Sequence, residues 1–134
     1  LAAPAMLLPS FAPGFGPYPA ATGAWVNRPD CWYARRSAAC LYAALVSATA
    51  LNLVGTSGRL LVEGRFAEAD VFVRALASLR PDLQVFTANA HNDVSFGALR
   101  LINPDLRPHG ALNHVAPLDV DLTEYAARWQ ENVG

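Results

Sequence analysis

The sequence predicts an α/β fold built on a parallel sheet, and three observations predict it. Two short apolar runs, Arg59–Glu63 (RLLVE) and Leu83–Thr87 (LQVFT), have the length and composition of buried strands. Helical patterns precede, separate and follow them, the alternation that joins parallel strands through crossover helices. Glycine or proline marks the junctions: Gly55 and Gly58 before the first run, Gly64 after it and Pro81 before the second.

Taken in order, residues 1–33 form a Pro/Gly/aromatic-rich segment. Pro4, Pro9, Pro13, Pro17, Pro19 and Pro29 forbid a continuous helix, while Phe11, Phe15, Tyr18, Trp25 and Trp32 are too hydrophobic for a disordered tail. An ordered loop packed on other chain is expected. Residues 34–104 carry an αβαβα core. Its first helix, Arg35–Leu53, is so rich in alanine that it has no polar face, the mark of a helix buried on several sides. Gly55 ends it. Asp70–Arg80 is the second helix, with Phe72, Leu76 and Leu79 inward and Pro81 as the stop. The third starts from a cap at Asn92 or Asp93 and runs to Ile102 before Asn103-Pro104, with Gly97 and Ala98 turned to the sheet for close packing. Residues 105–134 are a turn-rich tail and a last helix, with Asp121 and Glu124 as a capping box and Leu122, Tyr125 and Trp129 inward.

The expected order is therefore loop-α-β-α-β-α-loop-α. Two strands are fewer than the usual sheet of about four to six, and the first helix has no strand before it. With a start at Leu1, the expectation is a truncated, processed or partly observed polypeptide. An uncovered strand edge would make it prone to associate when expressed alone, a homo-oligomer included.

Composition narrows the function. A net charge of −1 supplies no field for a nucleic-acid backbone. No apolar run approaches the roughly 20 residues of a membrane span, and the proline-studded start lacks the basic opening of a signal peptide. All ten basic residues are arginine, which excludes a P-loop or Schiff-base lysine within these residues. Abundant Ala and Arg suggest a GC-rich genome. Cys31 and Cys40 are too few for a disulfide scaffold or a structural zinc site, and fit a reduced, cytoplasmic setting. His91, His109 and His114 lack ligand spacing, so no metal site is expected, and Asp119 and Asp121 read as a turn and a cap.

The sharpest constellation is Leu60-Leu61-Val62-Glu63-Gly64-Arg65-Phe66, a strand, a glycine and a helix start. At the carboxyl edge of a parallel sheet such a glycine lets a ligand approach the backbone, where free N–H groups can meet phosphate oxygens. Alone it is equally a structural turn. The longer run, Leu41–Leu53, then LLVEGRFAEADVFVRALASLRP, then VFTANAHNDVSFGALRLINP, resembles the C-terminal lobe of the FGGY carbohydrate kinases. MLLPSFAPGFGPYP stands where that family has a Leu-Pro-rich loop, and DVSFGALRL where a later Gly-Ala packs a helix on the sheet. The resemblance spans roughly Met6 to Pro104.

It implies a partial actin-like ATPase (ribonuclease H-like) lobe, with the three opening strands and the whole N-terminal lobe missing. It implies ATP and Mg²⁺ as cofactors of the full-length parent, a bacterial kinase phosphorylating a small sugar or polyol. The missing N-terminal lobe of the same protein would be this portion's partner. No catalytic residue is assigned, because the family's catalytic aspartate lies upstream. Cofactor-binding residues by resemblance are Gly64, Arg65, Phe66 and Asn89, with Asp70 near a position that contacts adenine, offset by one residue. Where the family has Gly-Gly-Ala this sequence reads Gly64-Arg65-Phe66. Arg65 could reach phosphate and Phe66 flank a purine, or either could obstruct the nucleotide. A Gly-Glu-Arg common in pentulose kinases is replaced by Gly14-Phe15-Gly16. A kinase-derived, non-catalytic binding or regulatory protein is the alternative.

Overall fold

A computed structural model describes residues 4–88, 94–107 and 110–133. Its centre is the first helix, α1 (Trp32–Leu53), which separates two apolar clusters. On one side lies a three-stranded sheet of β3 (Gly58–Val62), β4 (Leu83–Ala88) and β5 (Leu112–His114), in that spatial order. On the other lies a two-stranded antiparallel sheet of β1 (Met6–Leu8) and β2 (Ala24–Val26), with the last helix, α4 (Thr123–Val133). The protein is thus mixed α/β, with two sheets and four α-helices among the described residues.

β3 and β4 are parallel, with Leu60 opposite Val85, and are joined through a 3₁₀ turn (Gly64–Glu68) and α2 (Asp70–Leu79). Alternation sends Leu60, Val62, Leu83 and Val85 to one face, where they meet Phe72, Val73 and Leu76 of α2 and Ala44 of α1. Leu61 is on the other face and is 46% exposed. β5 runs antiparallel to β4 and extends the sheet on that side only. Among the described residues β3 has no strand on its outer edge.

α1 begins at Trp32, three residues before the predicted start, immediately beyond the segment that Pro29 interrupts. Its end follows the sequence reading. Gly55 is left-handed (φ 70°), its N–H donates to the Asn52 carbonyl and the Thr56 N–H donates to Leu51, the paired bonds of a Schellman stop. At the end of α2 the Arg80 guanidinium grips both carboxylate oxygens of Asp82 (2.8 and 2.7 Å) and donates to the Thr56 carbonyl at 2.9 Å. That fork ties the end of α2 to the loop leaving α1.

The second cluster is built on Met6, Leu8, Leu45 and Trp129, all buried. A directional chain of hydrogen bonds closes it. Gln130 Nε2 donates to the Tyr18 hydroxyl (2.8 Å), which can donate to Thr49 Oγ1 (2.9 Å), which donates to the Leu45 carbonyl (3.1 Å).

Four expectations need correction. Residues 1–33 are not loop alone: β1 and β2 pair within them. The tail contributes a strand, β5, beyond the predicted order. The Asp121–Glu124 capping box does not form, because Asp121 Oδ1 accepts from both the N–H and the hydroxyl of Thr123, while Glu124 pairs with Arg128. Finally, α3 (Val94–Ile102) turns Gly97 and Ala98 outward. Both are exposed, and a Cβ built on Gly97 would meet nothing within 4 Å. The cap proposed at Asn92 or Asp93 falls outside the described residues.

Candidate functional site

The strand β3 hands the chain to α2 through Glu63, in extended conformation (φ −124°), and Gly64, in the left-handed region (φ 70°). A side chain at Gly64 would be strained by the backbone alone. Yet the space around it is open, with no atom within 4 Å of a Cβ placed there. The turn is exposed at the carboxyl end of a parallel strand, where ligands of open α/β sheets approach. The leading N–H groups of a helical turn have no acceptor within it, which leaves this corner rich in donors.

Gly64, Arg65 and Phe66 come together as the first three residues of the 3₁₀ turn. Arg65 is exposed. The Phe66 ring is 61% exposed and leans on Phe72 at 5.3 Å between centroids, tilted by 55°. It walls an apolar groove of about 450 Å³, shared with Leu51 of α1, Val54 at its C-cap, and Leu61 and Val62 of β3. Asp70 lies across the turn from that groove. Its carboxylate is exposed and 3.9 Å from Arg74, and it borders a second cleft of about 280 Å³ between the amino ends of α1 and α2. Asp70 and Phe66 thus line different clefts. Asn89 falls outside the described residues.

This second cleft brings in Tyr33, Arg36 and Ser37 of α1, which sequence reading passed over, together with Cys40, which it read only as a free thiol. Their spacing of three, one and three places them on one helical face, and that spacing was the available signal. Arg36 also stacks over Trp32, 5.6 Å from the ring centroid. Cys31, at the start of α1, is exposed. The backbone N–H groups of Ala34 and then Tyr33 hold its thiol below the ordinary value, although no capping hydrogen bond closes. A larger cavity, about 540 Å³, lies at the far end of the sheet beside Leu83 and the 114–122 segment. Its position at the amino end of β4 removes it from the glycine turn.

The fold and the site thus define a mixed α/β domain with an open glycine turn at the carboxyl end of β3 and helices packed on one face of its parallel strands. Comparison with known proteins makes this specific. Residues 1–109 match the family described as carbohydrate kinase FGGY, C-terminal domain, and the chain belongs to that family. It is similar to the crystal structure of a carbohydrate kinase from Novosphingobium aromaticivorans, with 64% sequence identity and a TM-score of 0.87 over 96% of this chain. The chain spans 28% of the length of that protein. No curated protein matches it. No described helix is long and apolar enough to cross a membrane.

Proposed function

We propose that this chain is the nucleotide-facing part of the second, actin-like lobe of a carbohydrate kinase, which transfers the ATP γ-phosphate to a hydroxyl of a small sugar or polyol. The observation that carries the reading is the open, left-handed turn at Gly64 in a chain of the FGGY family. In-line phosphoryl transfer asks the protein chiefly for positioning and charge stabilisation. Gly64 gives phosphate or ribose access to the backbone, Arg65 supplies a cation at the rim, and Phe66 offers a ring edge to the base. Asn89 and Asp70 complete the nucleotide contacts in this reading, Asp70 from a separate cleft.

Nothing lies within 4 Å of a Cβ placed at Gly64, so a phosphate group has room to approach the backbone there. Mg²⁺ fits this portion less well, since no three His, Cys, Asp or Glu side chains converge among the described residues. We assign the ion to the ATP phosphates and the remainder of the kinase, where it would neutralise developing charge. The catalytic base is assigned there too. A cytoplasmic location follows from ATP as donor, and the outer edge of β3 is where further strands of the lobe would pair.

The exposed Phe66 beside Phe72 favours a second reading, a binding or regulatory protein derived from a kinase, in which the ring keeps the nucleotide out. Coupled ADP-release assays on the full-length protein with a panel of sugars and polyols separate the two. Turnover with one of them supports the kinase. ATP binding undetectable by calorimetry, with no turnover on any acceptor, would overturn it.

A further inference from the structure

We propose that α4 is a strap that sets the position of the aromatic loop between β1 and β2, and that strap, hairpin and loop open together while the α/β layer stays folded. α4 lies beyond the family-matched residues 1–109. The chain reaches it across α2. Arg74 donates to the Pro117 carbonyl (3.0 Å) and to Asp119 (3.3 Å), and the Leu118 N–H donates to Ser78 Oγ (2.9 Å). α4 then binds the hairpin by side chain to backbone at two points. Trp129 Nε1 donates to the Leu7 carbonyl at 2.7 Å, and the Tyr125 hydroxyl donates to the Ala5 carbonyl at 3.0 Å.

The loop is gripped at its middle. The Tyr18 ring stands edge-on to Trp129, 5.4 Å between centroids, and its hydroxyl accepts from Gln130. Trp129 has no exposed surface, while the bond from Gln130 to Tyr18 lies at the solvent edge of the grip. Inside the loop, the Gly14 N–H donates to Pro19 and the Gly23 N–H to Ser10, which makes it a self-bonded body. Phe11 and Phe15 project from it, 59% and 74% exposed. This body shares the Met6-Leu8-Leu45-Trp129 cluster and contributes nothing to the buried sheet cluster. Its ties to the α/β layer run to α1, through Leu45, Tyr42 and Thr49, and among the described residues none runs to the strands β3 and β4, so the body can open while those strands stay paired.

Native-state hydrogen exchange on the full-length protein tests this. In Trp129→Ala, the amides of Gly14, Gly23 and the β1–β2 pair should exchange at least about tenfold faster, with those paired between β3 and β4 within about twofold of wild type. Trp129→Phe keeps a ring but loses the bond to Leu7, and should fall between. Tyr18→Phe and Gln130→Ala should each speed the loop amides alone. Equal acceleration in both regions would overturn the proposal, as would unchanged loop exchange in Tyr18→Phe and Gln130→Ala. Collapse of the whole fold in Trp129→Ala together with unchanged loop exchange in those two variants would do the same.

Discussion

Gly64 and Gly55 form a matched pair that separates a backbone effect from a ligand effect. Both have φ 70°, and a Cβ at either meets nothing within 4 Å. The cost of a side chain at each is therefore the left-handed backbone alone, about 1–2 kcal/mol, with a branched residue at the upper end. Gly64→Val and Gly55→Val in the full-length protein should lower stability alike, to within about 0.5 kcal/mol in urea melts. Their nucleotide affinities should part. At Gly64 the branched side chain fills the space proposed for phosphate or ribose, so calorimetry should show ATP binding weakened about tenfold or more, some 1.4 kcal/mol. Sugar affinity should not change. Gly55, at the end of α1, should leave both affinities at wild type. Equal ATP affinity in the two variants would remove Gly64 from the site, whatever their stabilities.

Two further outcomes follow from other parts of the fold. Gly97→Leu should be neutral or stabilising by up to about 1 kcal/mol in thermal or urea melts, because the position is open and helix propensity is all that changes; a clear loss of stability would mean that α3 is covered there. The side-chain hydrogen bonds from Arg80 hold the Asp82 carboxyl below the usual carboxylate range. The stability it adds is present above the unfolded-state value and is lost as pH falls through the depressed folded value. Asp82→Asn should therefore differ most from wild type at neutral pH and converge with it in acid, read from urea melts across that range.

What the sequence displayed well was whatever local chemistry decides. Gly55 required a left-handed stop and made one, and the short apolar run Leu83–Thr87, read as a strand, lies within β4. Hydrophobic spacing placed Phe72 and Leu76 in the core and Trp129 inward. The misses have a common cause: their structure is imposed by contacts distant in sequence. β1 and β2 are three residues each among prolines, too short for periodicity to register; β1 is held by α4 more than a hundred positions later, and β2 pairs on β1. β5 (LNH) is exposed throughout and is a strand only because the free edge of β4 accepts it. Gly97-Ala98 signals small size, which permits close packing but does not say which side of a helix will be used. At the candidate site the glycine turn was legible from its strand context. The separation of Asp70 from Phe66 was not, since it depends on the path of the 3₁₀ turn.

The neighbours Ala44 and Leu45 belong to opposite clusters: Ala44 faces the sheet and α2, Leu45 faces Met6, Leu8 and Trp129. A helix loaded on two sides at consecutive positions is fixed in azimuth, because any twist that eases one side compresses the other. Torque from a misfit in either cluster would pass along the helix as a rigid shaft. The shaft ends at Val54-Gly55, and only Thr56 and Ser57 separate it from β3, which leads to Gly64. Repacking around Trp129 could therefore re-aim the glycine turn at the far end of β3, and selection on that turn would reach alanines that never come near it.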